Sequence, residues 1–367
     1  MNGNRKVLSL FSGAMGLDLG LKEAGLETVL CQDFEKSCVE TIRANGYEAV
    51  EGDVREKTAE ELLERAGMRK GEPFLVCGGP PCQPFSTVGK RLGINDPRGS
   101  LFMDFIRIAD GTRPRFILME NVKGLASSPL KNEGKYASDG EATVLDVVLE
   151  EFSRIGYRTV CGVLNAVDYG VPQFRERLII IGSRDGESVF LPLATHFRIH
   201  QNPEYRWRTV GEAFDGIPDE GECAGLSPVR RRFLEMVPEG GNWRNLPAEE
   251  IPAALGGAYG SDGGKTGFYR RLSRSEPAPT LTASPVQKST MMGHPTEPRP
   301  LSVREYARLQ QFPDAWIFRG STAEKYRQIG NAVPIGLAKA VGQAITAAAD
   351  GNAEVKAKRI RKTGKTF

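Results

Sequence analysis

The chain has 367 residues, 40% of them hydrophobic, and 49 Lys and Arg against 46 Asp and Glu leave a net charge of +3. That length suits two domains, the composition excludes a disordered or fibrous chain, and so small a charge does not by itself announce a nucleic-acid partner. The 6 cysteines show no CxxC pair and no framework spacing, which excludes a disulfide scaffold or a cysteine-built metal site.

In chain order, Lys6–Phe11 reads as a strand, Ser12–Gly16 as a turn and Leu17–Ala24 as a helix. Glycine lets a backbone approach a ligand and leaves helix-terminal amides open to it. The glycines fall at 13, 16 and 20, off the dinucleotide spacing, which disfavours a nicotinamide-dependent oxidoreductase. Strand Glu27–Cys31 leads to Asp33, followed by a helix over Glu35–Ala44. A carboxylate at the end of the second strand is where such sheets hold a ribose, and the Phe34 ring beside it suits a purine. Asp33 alternatively only caps the helix. A third strand, Glu48–Glu51, ends in Gly52-Asp53-Val54.

The fourth strand, Phe74–Cys77, leads into Gly78-Gly79-Pro80-Pro81-Cys82-Gln83-Pro84-Phe85-Ser86, around which the chain is organised. The glycines break the strand and the prolines stiffen the backbone that presents Cys82. A thiol at the carboxyl end of a parallel strand is a candidate nucleophile. Thr87–Gly99 is long for a connection and reads as a mobile loop whose Lys90, Arg91 and Arg98 suit phosphates. A helix follows over Ser100–Ala109. Strand Arg115–Met119 then ends in Glu120-Asn121-Val122, a second candidate carboxylate within reach of Cys82.

Ser127–Gly140 reads as a polar loop, Val144–Ile155 as a helix, and Arg158–Leu164 and Leu178–Ile181 as the last strands. Between those strands, alternation places Gln173, Arg175 and Arg177 on one face, a set of donors suited to a carbonyl or phosphate. Cys31, Cys38, Cys77 and Cys161 lie in apolar contexts and read as structural. His196 and His200 read as loop residues, so no metal is expected.

From Gly186 the alternation stops. Arg206, Arg208, Arg230, Arg231, Arg232, Arg244, Arg270, Arg271 and Arg274 crowd a stretch that also carries Trp207 and Trp243, a mixture that suits nucleic acid. Leu301–Gln311 reads as a helix. A second, apolar helix, Ile335–Ala348, is expected to pack back on the first domain. The expected organisation is 1–185 completed by 328–349, a smaller irregular domain and hinge over 186–327, and a basic disordered tail over 350–367. No apolar run approaches a membrane span and no signal peptide is evident, so the expected location is the cytoplasm.

The order of these pieces resembles the DNA (cytosine-5) methyltransferase family over about residues 6 to 345. The resemblance rests on FSGAMGLDLG at Phe11–Gly20, GGPPCQPFS, the ENV triplet, Gln173-Phe174-Arg175-Glu176-Arg177, Pro279-Thr280-Leu281-Thr282-Ala283 and the GNAVP stretch ending at Pro334. One departure is Met15, where the family usually has glycine. The resemblance implies an α/β fold: a Rossmann-like S-adenosylmethionine-dependent domain with a smaller, irregular target-recognition domain. It implies Cys82 as nucleophile, Glu120 at ring nitrogen 3 of a cytosine, Arg177 at the ring carbonyl and Arg175 in support. It places S-adenosyl-L-methionine against Phe11, Gly13, Gly16, Leu17, Asp33, Phe34, Asp53, Val54, Pro81, Leu101, Asn331 and Val333. It implies double-stranded DNA as substrate, a flipped target base, and DNA contacts from Ser86, Lys90, Arg91, Arg98, Arg230, Arg231, Arg271 and Thr280.

The resemblance further implies a prokaryotic cytoplasmic monomer that meets the nucleoid through DNA. Two alternatives stay open beside it. The tRNA-modifying branch shares the catalytic motifs, but its Cys-Phe-Thr triplet is absent here. A catalytically inactive DNA-binding regulator would usually lack the cysteine or the glutamate. The recognition sequence, and whether a restriction endonuclease acts on the same site, are not written in the chain.

Overall fold

The centre of the fold is a sheet whose inner strands are unbroken apolar runs. The computed structural model describes residues 5–81, 101–127, 143–217, 221–260 and 267–352. Cys82, Ser86, Lys90, Arg91, Arg98, the loop after Ser127 and the basic tail from 353 lie outside the described residues. Among those described, seven strands form one sheet: β1 (Lys6–Leu10), β2 (Glu27–Asp33), β3 (Ala49–Glu51), β4 (Leu75–Gly78), β5 (Phe116–Val122), β6 (Arg158–Asn165) and β7 (Glu176–Ser183). Their order is β3-β2-β1-β4-β5-β7-β6. β1, β4 and β5 occupy the middle and are covered on both faces, so Leu8, Val76 and Ile117 are all 2% exposed or less. The pairings β1–β2, β1–β4, β2–β3 and β4–β5 are parallel, whereas β7 runs antiparallel to β5. Strand order reverses between β1 and β4, the place where open α/β sheets form their ligand crevice at the strand carboxyl ends.

Among the described residues, the helices that follow the strands up to β5 are α1 (Gly16–Glu23), α2 (Lys36–Ala44), α3 (Ala59–Arg65), α4 (Leu101–Thr112) and α5 (Val144–Arg154). α5 starts on a capping box, with Thr143 and Asp146 satisfying each other's backbone amides. It packs on α4 through an edge-to-face pair, Phe105 with Phe152, ring centres 6.1 Å apart. α3 has no counterpart among the sequence expectations; its cap, Thr58 accepting from Glu61 N, was the signal for it.

The chain divides into two compact units, and the division differs from a boundary at 185. The sheet unit holds residues up to Leu164, Glu176–Leu193 and the chain from Leu337, while Asn165–Arg175 and Ala194–Gly336 form the second. The second unit carries short helices α6 (Val210–Phe214), α7 (Pro228–Glu235), α8 (Ile251–Leu255), α9 (Val303–Leu309) and α10 (Thr322–Asn331). Its core gathers Phe233, Leu234, Leu255, Tyr269 and Met291.

The final helix, α11 (Ile335–Ala349), lies on α1. A Cβ added at Gly342 would stand 2.7 Å from Ala24 Cβ, so glycine there permits close backbone approach. Thr322–Ala349 has the length and apolar content of a membrane span, contrary to the expectation that no stretch would. Its window is 56% buried inside the protein, and Gly342 and the Lys339–Glu23 ion pair at 2.9 Å fasten α11 to the sheet unit, which makes it a core element.

Candidate active site

At the end of β1 the backbone enters the left-handed region three times in five residues, at Phe11 (φ 52°), Gly13 (φ 54°) and Met15 (φ 67°). Glycine accepts this without cost, but Phe and Met store strain there. The departure at Met15 thereby has its physical account: methionine accepts the strained φ and its side chain is fully buried. Ser12 holds the turn, its N–H donating to Gln32 O at 3.0 Å and its Oγ lying 2.9 Å from Ser9 Oγ. Gly13 N donates to Asp33 Oδ2 at 2.7 Å, and Glu35 N to Asp33 Oδ1 at 2.8 Å. One carboxylate therefore ties the turn to the start of α2, and burial pushes its pKa up.

Phe34, next to it, is 67% exposed. Val54 is buried, and the Asp53 carboxylate is engaged by the Arg55 guanidinium, with Nε at 2.9 Å, which holds it below the usual range. Gly16 and Leu17 begin α1 as buried residues. A Cβ added at Gly13 would meet nothing within 4 Å. An open glycine turn, a carboxylate with unused lone pairs at the β2 end and an exposed aromatic ring together fit a nucleoside-bearing ligand such as S-adenosylmethionine.

The second cluster sits where β4, β5 and β7 meet. Glu120 lies inside β5 rather than beyond its end, opposite Ile179, while Arg177 lies opposite Val122. Diagonal neighbours across an antiparallel pair share a face within reach of long side chains. Arg177 Nε stands 2.8 Å from Glu120 Oε1, with side chains only 12% and 10% exposed. Burial pushes the Arg177 pKa down, and the Glu120 carboxylate opposes that shift. A Cβ added at Gly79 would stand 2.8 Å from Glu120 Oε2, so glycine is what admits the carboxylate against this backbone. Asn121 Nδ2 donates to Pro80 O at 2.9 Å. The ENV triplet thus holds both the ion pair and the turn that reaches exposed Pro81, the residue before Cys82.

The remaining candidates separate. Gln173, Arg175 and Arg177 do not share one face: Gln173 N donates to Val171 O at 2.7 Å, a tight turn that interrupts the alternation. Arg175, 1% exposed, donates to Leu281 O at 2.9 Å and Gly330 O at 2.6 Å within the second unit. Arg271 does not face outward; it is 8% exposed and donates to His294 O and Val237 O. Arg230 is half-buried and donates to Val286 O at 2.7 Å. Arg231 is exposed on α7 beside Glu235, and exposed Thr280 donates to Phe174 O at 2.7 Å. Leu101 opens α4 half-buried, Asn331 is exposed at the end of α10, and Val333 is buried.

Sequence reasoning missed Asp18. It is 2% exposed, accepts from Ser9 Oγ at 3.1 Å and Thr28 Oγ1 at 2.9 Å, and burial raises its pKa to about 6. Its position among Leu17, Leu19 and Leu21 was the available signal. Among the described residues no cluster of side chains has the makings of a metal site.

The family described as C-5 cytosine-specific DNA methylase matches residues 5–347. The chain is 41% identical over 350 residues to the Type II methyltransferase M.PspPI of Psychrobacter sp. (strain TA137), covering 92% of this chain and 78% of that one. It is 38% identical to the Type II methyltransferase M.Sau96I of Staphylococcus aureus, covering 94% and 76%. Among solved structures, a DNMT2 variant from Spodoptera frugiperda superposes with TM-score 0.61 over 93% of this chain and 99% of that one; at 17% identity this speaks for the fold alone.

Proposed function

The chain belongs to the C-5 cytosine-specific DNA methylase family, and on that premise we propose that Cys82 forms a covalent adduct with a flipped-out cytosine in a specific duplex sequence. It is a DNA (cytosine-5)-methyltransferase with an S-adenosylmethionine-dependent methyltransferase fold. Carbon 5 of cytosine is a poor nucleophile. Addition of the Cys82 thiolate to carbon 6 forms the sulfur–carbon bond and moves the ring electrons toward carbon 5 and nitrogen 3. Glu120 meets the charge developing at nitrogen 3, while Arg177 holds Glu120 through Oε1 and donates to the ring carbonyl. The activated carbon 5 would take the methyl group; once it carries that group, loss of its proton breaks the carbon 6–sulfur bond, returns the thiolate to Cys82 and restores the ring. Glu120 Oε2 lies against Gly79, which directs the carboxylate at the turn carrying Cys82.

S-adenosylmethionine, when bound, supplies the electrophilic methyl group. Phe11, Gly13, Gly16 and Leu17 would line its methionine end, Asp33 would take the ribose and Phe34 the adenine face. Asp53 and Val54 would take the adenine edge, with Asp53 shared with Arg55. Pro81, Leu101, Asn331 and Val333 would complete its surroundings. Exposed Arg231 and Thr280, with Ser86, Lys90, Arg91 and Arg98, would contact DNA; Arg271 and Arg230 would shape the surface from beneath. The Type II methyltransferases among the relatives support a restriction-modification role.

The observation that carries this reading is the Glu120–Arg177 pair packed against Gly79. Bisulfite sequencing of DNA from cells expressing the protein tests it. Cytosines in one recurring sequence should resist conversion, and their uniform conversion would refute the activity. Sequence choice is assigned to about residues 186–275, so an active graft of that segment from a relative with another target should redirect methylation to the donor's site. Retention of the original site would place specificity elsewhere.

A further inference from the structure

The second unit contains a buried chain of amide and guanidinium groups that the chemistry above does not use. Gln173, Gln310 and Arg175 are 0%, 0% and 1% exposed. Gln310 Nε2 donates to Ile329 O at 2.7 Å and Ala332 O at 3.2 Å. Gln310 Oε1 accepts from Gln173 Nε2 at 3.1 Å, and Gln173 Oε1 accepts from Leu281 N at 3.0 Å. Arg175 closes the circuit by donating to Leu281 O and Gly330 O. The three carbonyls at 329, 330 and 332 bracket Asn331. A Cβ added at Gly330 would fall inside hard-sphere contact with Thr282 O, so the end of α10 rests directly on the backbone at 282. Tyr306 Oη fixes that same residue, donating to Thr282 O at 2.9 Å.

Glutamine at 310 uses both its donors and its acceptor, which neither Glu nor an aliphatic side chain can do. With the side-chain amides of Gln173 and Gln310 both satisfied, the circuit specifies one arrangement of the backbone, where an apolar core would tolerate several. We propose that Gln310 is a positioning residue. Through Gln173 it locks the segment at Leu281–Thr282, next to the proposed DNA contact Thr280, to the turn Ile329–Val333, so that a displacement at either is carried to the other. The proposal rests on the reading above that Asn331 and Val333 touch S-adenosylmethionine.

The test compares full-length Q310M, Q173M, the double variant and Asn331→Ala by KM for S-adenosylmethionine, KM for duplex DNA, kcat and Tm. Methionine keeps the length of glutamine and deletes its hydrogen bonds. Q310M should raise the KM for S-adenosylmethionine about tenfold, the scale of one or two lost hydrogen bonds. Q173M should raise it comparably although Gln173 makes no bond to residues 329–333, and the double variant should add little, because either change breaks the same circuit. A merely structural role would lower kcat and Tm together and leave both KM values unmoved, which would overturn the proposal. If Asn331→Ala raises the cofactor KM while both glutamine variants leave it alone, the circuit fails by itself. If Asn331→Ala also leaves it unmoved, the cofactor assignment fails and takes the proposal with it. Should the methionine variants not fold, amide hydrogen exchange of residues 329–333 in the wild-type protein decides: duplex DNA should slow it, and unchanged exchange would contradict the coupling.

Discussion

Arg175 and Arg177 stand on either side of Glu176, yet they fall in different units and have opposite surroundings. Arg177 lies on a sheet strand, meets the carboxylate of Glu120 and keeps 12% of its side chain exposed. Arg175 is 1% exposed and spends its donors on two backbone carbonyls. The partner determines what each can do. A carboxylate paired with a guanidinium can respond to a charge arriving on a substrate, whereas a guanidinium bonded to backbone carbonyls is committed to holding two segments together. Sequence spacing alone made these residues equivalent; the turn at Val171–Gln173 makes them different.

The sharpest way to break this comparison is to remove the pair. Glu120→Gln should lower kcat about 10²–10⁴-fold, the range of a lost acid–base or charge-stabilising group. Single removal of Glu120 or Arg177 should also destabilise the fold by about 3 kcal/mol, because it strands a mostly buried charge. The double variant E120Q/R177M should regain much of that stability in denaturant unfolding without regaining turnover. Parallel recovery of both would mean that the pair is structural.

Arg175→Met is the counterpart. Two buried carbonyls lose their donors, so unfolding free energy should fall by about 2–4 kcal/mol, read as a lower midpoint in urea. A variant of unchanged stability but absent turnover would place Arg175 in the chemistry after all.

The same contrast extends to two carboxylates near the glycine turn after β1. Asp18 has a folded pKa of about 6 against an ordinary value of 3.8. Between those values the native state holds a proton that the unfolded chain releases, so this group's contribution to stability falls as pH rises through the window. The loss amounts to about 3 kcal/mol and is complete above pH 6. Asp18→Asn removes it, and its stability relative to wild type should therefore climb from pH 4 to 7. A flat difference would mean that the carboxylate is solvated. Asp33→Ala should weaken S-adenosylmethionine binding by about 1.5–3 kcal/mol in calorimetric titration, and an unchanged Kd would leave Asp33 with only its bonds to backbone amides.

What was legible in the sequence follows the same physics. β1, β4 and β5 emerged within a residue or two because strands covered on both faces must be apolar runs. Glu120 and its neighbours were readable because ENV follows such a run. α3 and α10 were not, since short helices announce themselves through caps such as Thr58 and Ser321 more than through periodicity. Asp18 hid among leucines, where an acidic residue ordinarily reads as a solvated position. Gln310 carries no sequence signal, because its partners, two backbone carbonyls and the Gln173 amide, are brought to it by folding. Arg271, one of a crowd of arginines, read as a DNA contact until its burial placed it inside the second unit.

The most direct test of the central claim is to trap the enzyme on duplex DNA carrying 5-fluorocytosine in its recognition sequence, with S-adenosylmethionine present. Fluorine cannot leave as the proton does, so the adduct should survive denaturation, and peptide mapping by mass spectrometry should place the base on Cys82, with no adduct in Cys82→Ser. An adduct on any other residue, or its formation in Cys82→Ser, would contradict the account.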